Sequence, residues 1–128
     1  MPALITTPPG VPRKVRVPQQ SWASGVTAAT TPTVNARGKV VQVEVVISNA
    51  TNGITATVAI ATANAGALYS QAAIPENAST VYDSESNKGT PDANFNPFFV
   101  SGVVTLTVTP SGDPGASGVT VDVILTII

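Results

Sequence analysis

The chain has 128 residues, the size of one domain, with a net charge of −1, no cysteine and no histidine. Without cysteine there is no disulfide framework or thiolate metal site, and without histidine the commonest general base, metal ligand and near-neutral pH switch are missing. Charged residues form 10% of the sequence, against roughly 25% in ordinary soluble domains, so the expected surface is one that neighbouring subunits can cover.

Residues 1–35 hold six of the eleven prolines. Proline lacks an amide donor and biases its predecessor toward extended backbone, so this stretch reads as an extended Pro-rich arm, residues 1–35, ahead of a β-sandwich domain, residues 36–128. Residues 11–17 suit a short edge strand with Arg13, Lys14 and Arg16 as its polar members. Such an arm needs a surface to lie on, either a neighbouring chain, which is the expectation, or its own domain. Trp22, the only tryptophan, is read either as the anchor of the arm or as a ring capping the end of the sandwich. The start of the chain has no signal-peptide run, and no stretch reaches the roughly 18–20 apolar residues needed to span a bilayer. Synthesis in a cytoplasm and no membrane contact are expected.

Residues 39–60 alternate in period two: Val41, Val43, Val45 and Ile47, then Asn49-Ala50-Thr51-Asn52-Gly53, then Ile54, Ala56, Val58 and Ile60. That pattern predicts a β-hairpin, with Asn-Gly supplying positive φ at the turn. Residues 66–75 predict a further strand closed by proline, and residues 80–82 a short one. Residues 83–97 form a long polar loop. A second hairpin is expected at the end, with Phe98, Val100, Gly102, Val104, Leu106 and Val108 on one stripe, a glycine-rich turn at 111–118, and Val119, Val121, Val123, Leu125 and Ile127 returning. No helix period appears. The sum is an all-β fold, a single β-sandwich of Greek-key or jelly-roll type.

Charge is segregated along the sequence. Arg13, Lys14, Arg16, Arg37 and Lys39 give the first 39 residues +5, and the remainder, with Lys88 against seven acids, carries −6. These cations, with Trp22, are the candidate partner-binding residues, and an acidic protein surface explains them better than nucleic acid does, given a pI near 5.0. No catalytic, cofactor or metal residues are assigned. Glu44 and Asp122 lie mid-strand and can meet if their strands adjoin, but glycosidase chemistry also needs a cleft with aromatic platforms. The spacing Asp83-Ser84-Glu85-Ser86-Asn87 starts like a calcium loop and then fails at Lys88 and Asn94, where a glycine and a bidentate glutamate belong. The 111–118 turn has no lysine and leads into a strand, unlike a phosphate cradle. Without histidine there is no Ser-His-Asp triad, so the chain is not expected to be an enzyme.

A small sandwich without histidine or cysteine, with a Pro-rich arm, Val/Thr strands such as Val103-Val104-Thr105-Leu106-Thr107-Val108-Thr109 and Val119-Thr120-Val121-Asp122-Val123, and Ser/Gly turns, resembles the capsid decoration (cement) proteins of tailed bacteriophages. The resemblance covers most of the chain and carries no diagnostic motif. It implies a virion protein on the capsid exterior, a homo-oligomer, with a trimer favoured, that clamps neighbouring capsomers by binding the major capsid protein. The alternatives are another virion part (tail, neck or fibre) and a carbohydrate-binding or adhesion module, which requires an exposed cluster drawn from Tyr69, Tyr82, Phe95, Phe98 and Phe99.

Overall fold

The computed structural model describes residues 12–83 and 95–128, which form an all-β sandwich. Eight strands follow in order: β1 (Arg13–Arg16), β2 (Gln20–Trp22), β3 (Thr33–Ile47), β4 (Thr55–Thr62), β5 (Gly66–Pro75), β6 (Ala78–Asp83), β7 (Phe98–Pro110) and β8 (Val119–Ile127). All pairings are antiparallel, and β3 belongs to two layers. Its first half, residues 33–40, pairs with β7, which pairs with β4 and through it β5; this is the back layer. Its second half runs between β8 and β6, and β8 carries β1 and β2 on its other edge; this is the front layer.

The switch between layers needs a change in which side chains point inward. In the first half of β3 the buried positions are Ala36 and Val40, and in the second half Val43, Val45 and Ile47. A bulge between Val40 and Gln42 shifts the parity by one residue, so Val41 is not on the buried stripe that simple alternation assigns it. Gly38, at φ +132°, bends the strand just before the bulge. Lys39 and Ile128 exchange both backbone hydrogen bonds there, at 3.1 and 3.0 Å.

Neither expected hairpin forms. The second half of β3 lies in the front layer and β4 in the back, β7 and β8 also lie in different layers, and the Asn52-Gly53 pair takes no positive φ. Alternation and turn residues announce two strands and a change of direction, but they do not say whether the chain returns to the same sheet. Here residues 48–54 and 111–118 arch across the roughly 10 Å between facing layers. The one tight hairpin joins β4 and β5, with Thr62 opposite Gly66. β5 and β6 match the strands expected at 66–75 and 80–82.

The inward stripes do hold. Ala56, Val58 and Ile60 of β4, Val100, Val104, Leu106 and Val108 of β7, and Val121, Val123, Leu125 and Ile127 of β8 share one core with Val43, Val45 and Ile47. Burial contributes about 1.5–3 kcal/mol for each of these valine, leucine and isoleucine side chains. Residues 12–35, read from the sequence as an arm, supply β1, β2 and the start of β3 to the same hydrogen-bonded network; residues 1–11 lie outside the described residues. A Cβ placed on Gly38 would stand 2.6 Å from Ile127 Cγ2 and 2.8 Å from the Ile128 carbonyl oxygen. Gly38→Ala should therefore lower stability by about 2–4 kcal/mol in urea unfolding, from overpacking and a disfavoured φ together; an unchanged midpoint would show that the elbow tolerates a side chain.

Candidate interaction surface

The six candidate residues do not form one patch. Trp22 is a core residue at 2% exposure, set opposite Val119 by the β2–β8 pairing. Its Nε1 donates to the Ala28 carbonyl at 2.7 Å, which fastens residues 23–28 over the ring. Of the two readings, anchor or cap, this geometry combines both: the ring closes the core and holds the segment that leads into β3.

Strand alternation divides the five cations. In β1, Val15 and the following Val17 point to the core, which puts Lys14 and Arg16 on the outer front face, in register with Thr126 and Ile124 of β8. Arg37 and Lys39 lie on the outer back face, opposite Ser101 and Phe99 of β7. Arg13 joins the two groups, because its guanidinium donates to the Arg37 carbonyl. The cations thus gather around the corner where β1, β8 and the elbow of β3 meet, rather than along a projecting arm.

Glu44 and Asp122 do come to adjacent strands. Glu44 is opposite Ile124, and Asp122 opposite Val46, so the two carboxylates sit diagonally on the outer front face. Each holds a different neighbour: Ser79 Oγ donates to Glu44 at 2.9 Å, and Gln19 Nε2 to Asp122 at 2.9 Å. The calcium-like stretch falls almost wholly outside the described residues, among which no group of three metal-ligating side chains occurs. No helix among the described residues is long and apolar enough to cross a membrane.

The aromatic residues pack inward. Tyr69, Phe95 and Phe98 cluster with centroids 5.3–6.2 Å apart, with both phenylalanines buried, as is Tyr82. Only Phe99, next along β7 and therefore on the opposite face, is exposed, at 73%. The exposed cluster that a carbohydrate module requires is not present among the described aromatic residues.

Sequence reasoning missed the loop end of the sandwich. The arches 48–54 and 111–118 zip together: Thr51 N donates to Ser117 Oγ at 3.1 Å, Asn52 N to the Pro114 carbonyl at 2.9 Å, and Asn52 Nδ2 to the Asp113 carbonyl at 2.9 Å. Glu76 accepts from Ala50 N at 2.9 Å. Asp113 Oδ1 accepts from Gly25 N at 2.8 Å and Gly115 N at 2.9 Å, and these two bonds, Gly25 first, hold its carboxyl below the ordinary value. The sign follows: a depressed folded pKa gives a contribution present above the unfolded value and lost as pH falls through the folded one. Asp113→Ala should speed hydrogen exchange at the Gly25 and Gly115 amides at neutral pH, and the parent protein should show the same change only below about pH 4. Equal exchange in the two proteins at neutral pH would remove the clasp.

Comparison with known proteins finds no matching family model and no matching curated protein. Among solved structures, the chain is similar to one described as "Structure of infectious bursal disease virus Gx strain", with a TM-score of 0.43 and 14% identity, covering 99% of this chain and 36% of that one. A likeness at this level transfers no role to this chain.

Proposed function

We propose that the chain is a structural protein of a virus particle, a sandwich that binds the outside of a phage shell and bridges neighbouring capsomers. It works by contact alone, with no reaction, cofactor or membrane step, as a homo-oligomer against the major capsid protein. The observation that carries this reading is the surface. A charge-poor module has its described cations gathered around one corner, on both outer faces, and its aromatic rings turned inward except Phe99. Such a surface offers shape and attraction without reagents, and many copies turn weak contacts into firm attachment. The resemblance to decoration proteins agrees with it, and the burial of Phe95, Phe98 and Tyr82 disfavours a carbohydrate module.

Charge reversal tests this better than truncation, since Val17 is a core residue and removing β1 would strip an edge from β8. Arg13, Lys14 and Arg16 changed together to Glu should leave the fold intact and weaken co-sedimentation with shells lacking the protein roughly tenfold at low salt, less at high salt, because exposed charges are screened within about 10 Å at 0.1 M. A parent protein that ignores such shells at every salt concentration would refute the proposal.

A further inference from the structure

The back layer is built from residues 33–40 of β3, with β7, β4 and β5, and none of these segments contains an aspartate or a glutamate. Every described acid lies elsewhere: Glu44, Asp83 and Asp122 on the front layer, Glu76 and Asp113 at the loop end. The outer back face does carry Arg37, which is exposed, and Lys39, with Arg13 reaching the Arg37 carbonyl. Charge segregation along the sequence thus becomes segregation in space.

On this face are the two most exposed large apolar side chains among the described residues, Phe99 at 73% and Val103 at 58%. Both project from β7 on alternate positions, with Lys39 opposite Phe99 and Asn35 opposite Val103. Between them and the β4–β5 turn at residues 62–65 lies a trough of about 460 Å³, also lined by Ser101 and Val100. An exposed ring beside a hollow, with cations along one side and none of the described carboxylates on that layer, combines an apolar anchor with attraction for negative charge.

We infer that this face is a docking surface for an acidic segment of another protein, one that places an apolar side chain in the trough beside Phe99 while its carboxylates face Arg37 and Lys39. The inference rests on the reading of the chain as a binder of proteins and names the partner's chemistry. Protein is favoured over nucleic acid because the centre of the patch is aliphatic and aromatic, with its few cations confined to one side, whereas a phosphate backbone calls for a track of cations.

The test uses a fluorescein-labelled eight-residue peptide with one leucine flanked by glutamates, a version with serine for leucine, a version with lysines for glutamates, and an oligothymidine. Phe99 and Arg37 are exposed, so Phe99→Ser and Arg37→Glu should keep the parent's thermal unfolding. Fluorescence anisotropy should show saturable binding of the glutamate-leucine peptide by the full chain. Binding should weaken about tenfold for Phe99→Ser, for Arg37→Glu and for the serine peptide, as removal of one anchor residue does, and the lysine peptide should not bind. The inference is overturned by no saturable binding, by binding indifferent to both substitutions, or by tighter binding of the lysine peptide or the oligothymidine. Because the peptide bypasses any shell, failure here is distinct from failure to bind shells.

Discussion

The structure depends on how one strand changes layers. Between Gly38 and Gln42, β3 leaves β7 and joins β8, and the bulge at Val41 turns its apolar side chains from even to odd positions so that both halves face the same core. Without the bulge, the second half would present Gln42, Glu44 and Val46 to the interior, and three valines and isoleucines would face water. The end of β8 is fitted into this elbow: Ile127 lies against the bare Cα of Gly38, and Ile128 is bonded through both backbone groups to Lys39. The two layers are therefore joined by one continuous strand at the point where the end of β8 closes against Gly38.

Which side chains are inside was readable from the sequence; which strands are neighbours was not. The stripes of β4 and β7 follow from alternation because each strand has one dry face, and β8 keeps its inward set of Val121, Val123, Leu125 and Ile127 although Ile124 and Thr126 are buried as well. The partners are non-local, and a sequence encodes them only through the shape of the finished core. Asn52-Gly53 illustrates the gap. The dipeptide suits a tight hairpin, yet here it belongs to an arch whose hydrogen bonds go to residues 113, 114 and 117, supplied by a loop some sixty positions away. Trp22 was readable as either an anchor or a cap, and Lys14 and Arg16 as the polar members of a short edge strand. That Arg37 and Lys39 take a different face from Lys14 and Arg16 depends on the layer switch and was hidden for the same reason as the pairings.

The clasp around Asp113 and the elbow around Gly38 sit in different parts of the sandwich and do related work. Each joins segments far apart in sequence through backbone groups: residues 23–26 to the arch 111–118 in one case, and β3 to the last residues of β8 in the other. Side-chain variety is low, with valine, alanine and threonine filling half of the strand positions, so pairing register is weakly defined by side-chain identity. Register is instead fixed by irregularities: the bulge in β3, the two shifts in the β4–β5 pairing, and the bonded arches.

The same economy bears on function. In a domain stabilised by plain aliphatic stripes and backbone clasps, the few charged residues divide by role. Four of the described carboxylates have structural partners: Asp113 holds two amides, Glu76 holds Ala50, Asp122 holds Gln19, and Glu44 takes the Ser79 hydroxyl. On the back layer Arg37 and Lys39 flank the exposed ring of Phe99 with no carboxylate on that layer to neutralise them. None of the five described acids lies on this layer, so among the described residues the face is positive in a chain whose net charge is negative. It is the arrangement expected where attraction between molecules, rather than stability within one, determined the choice of residues.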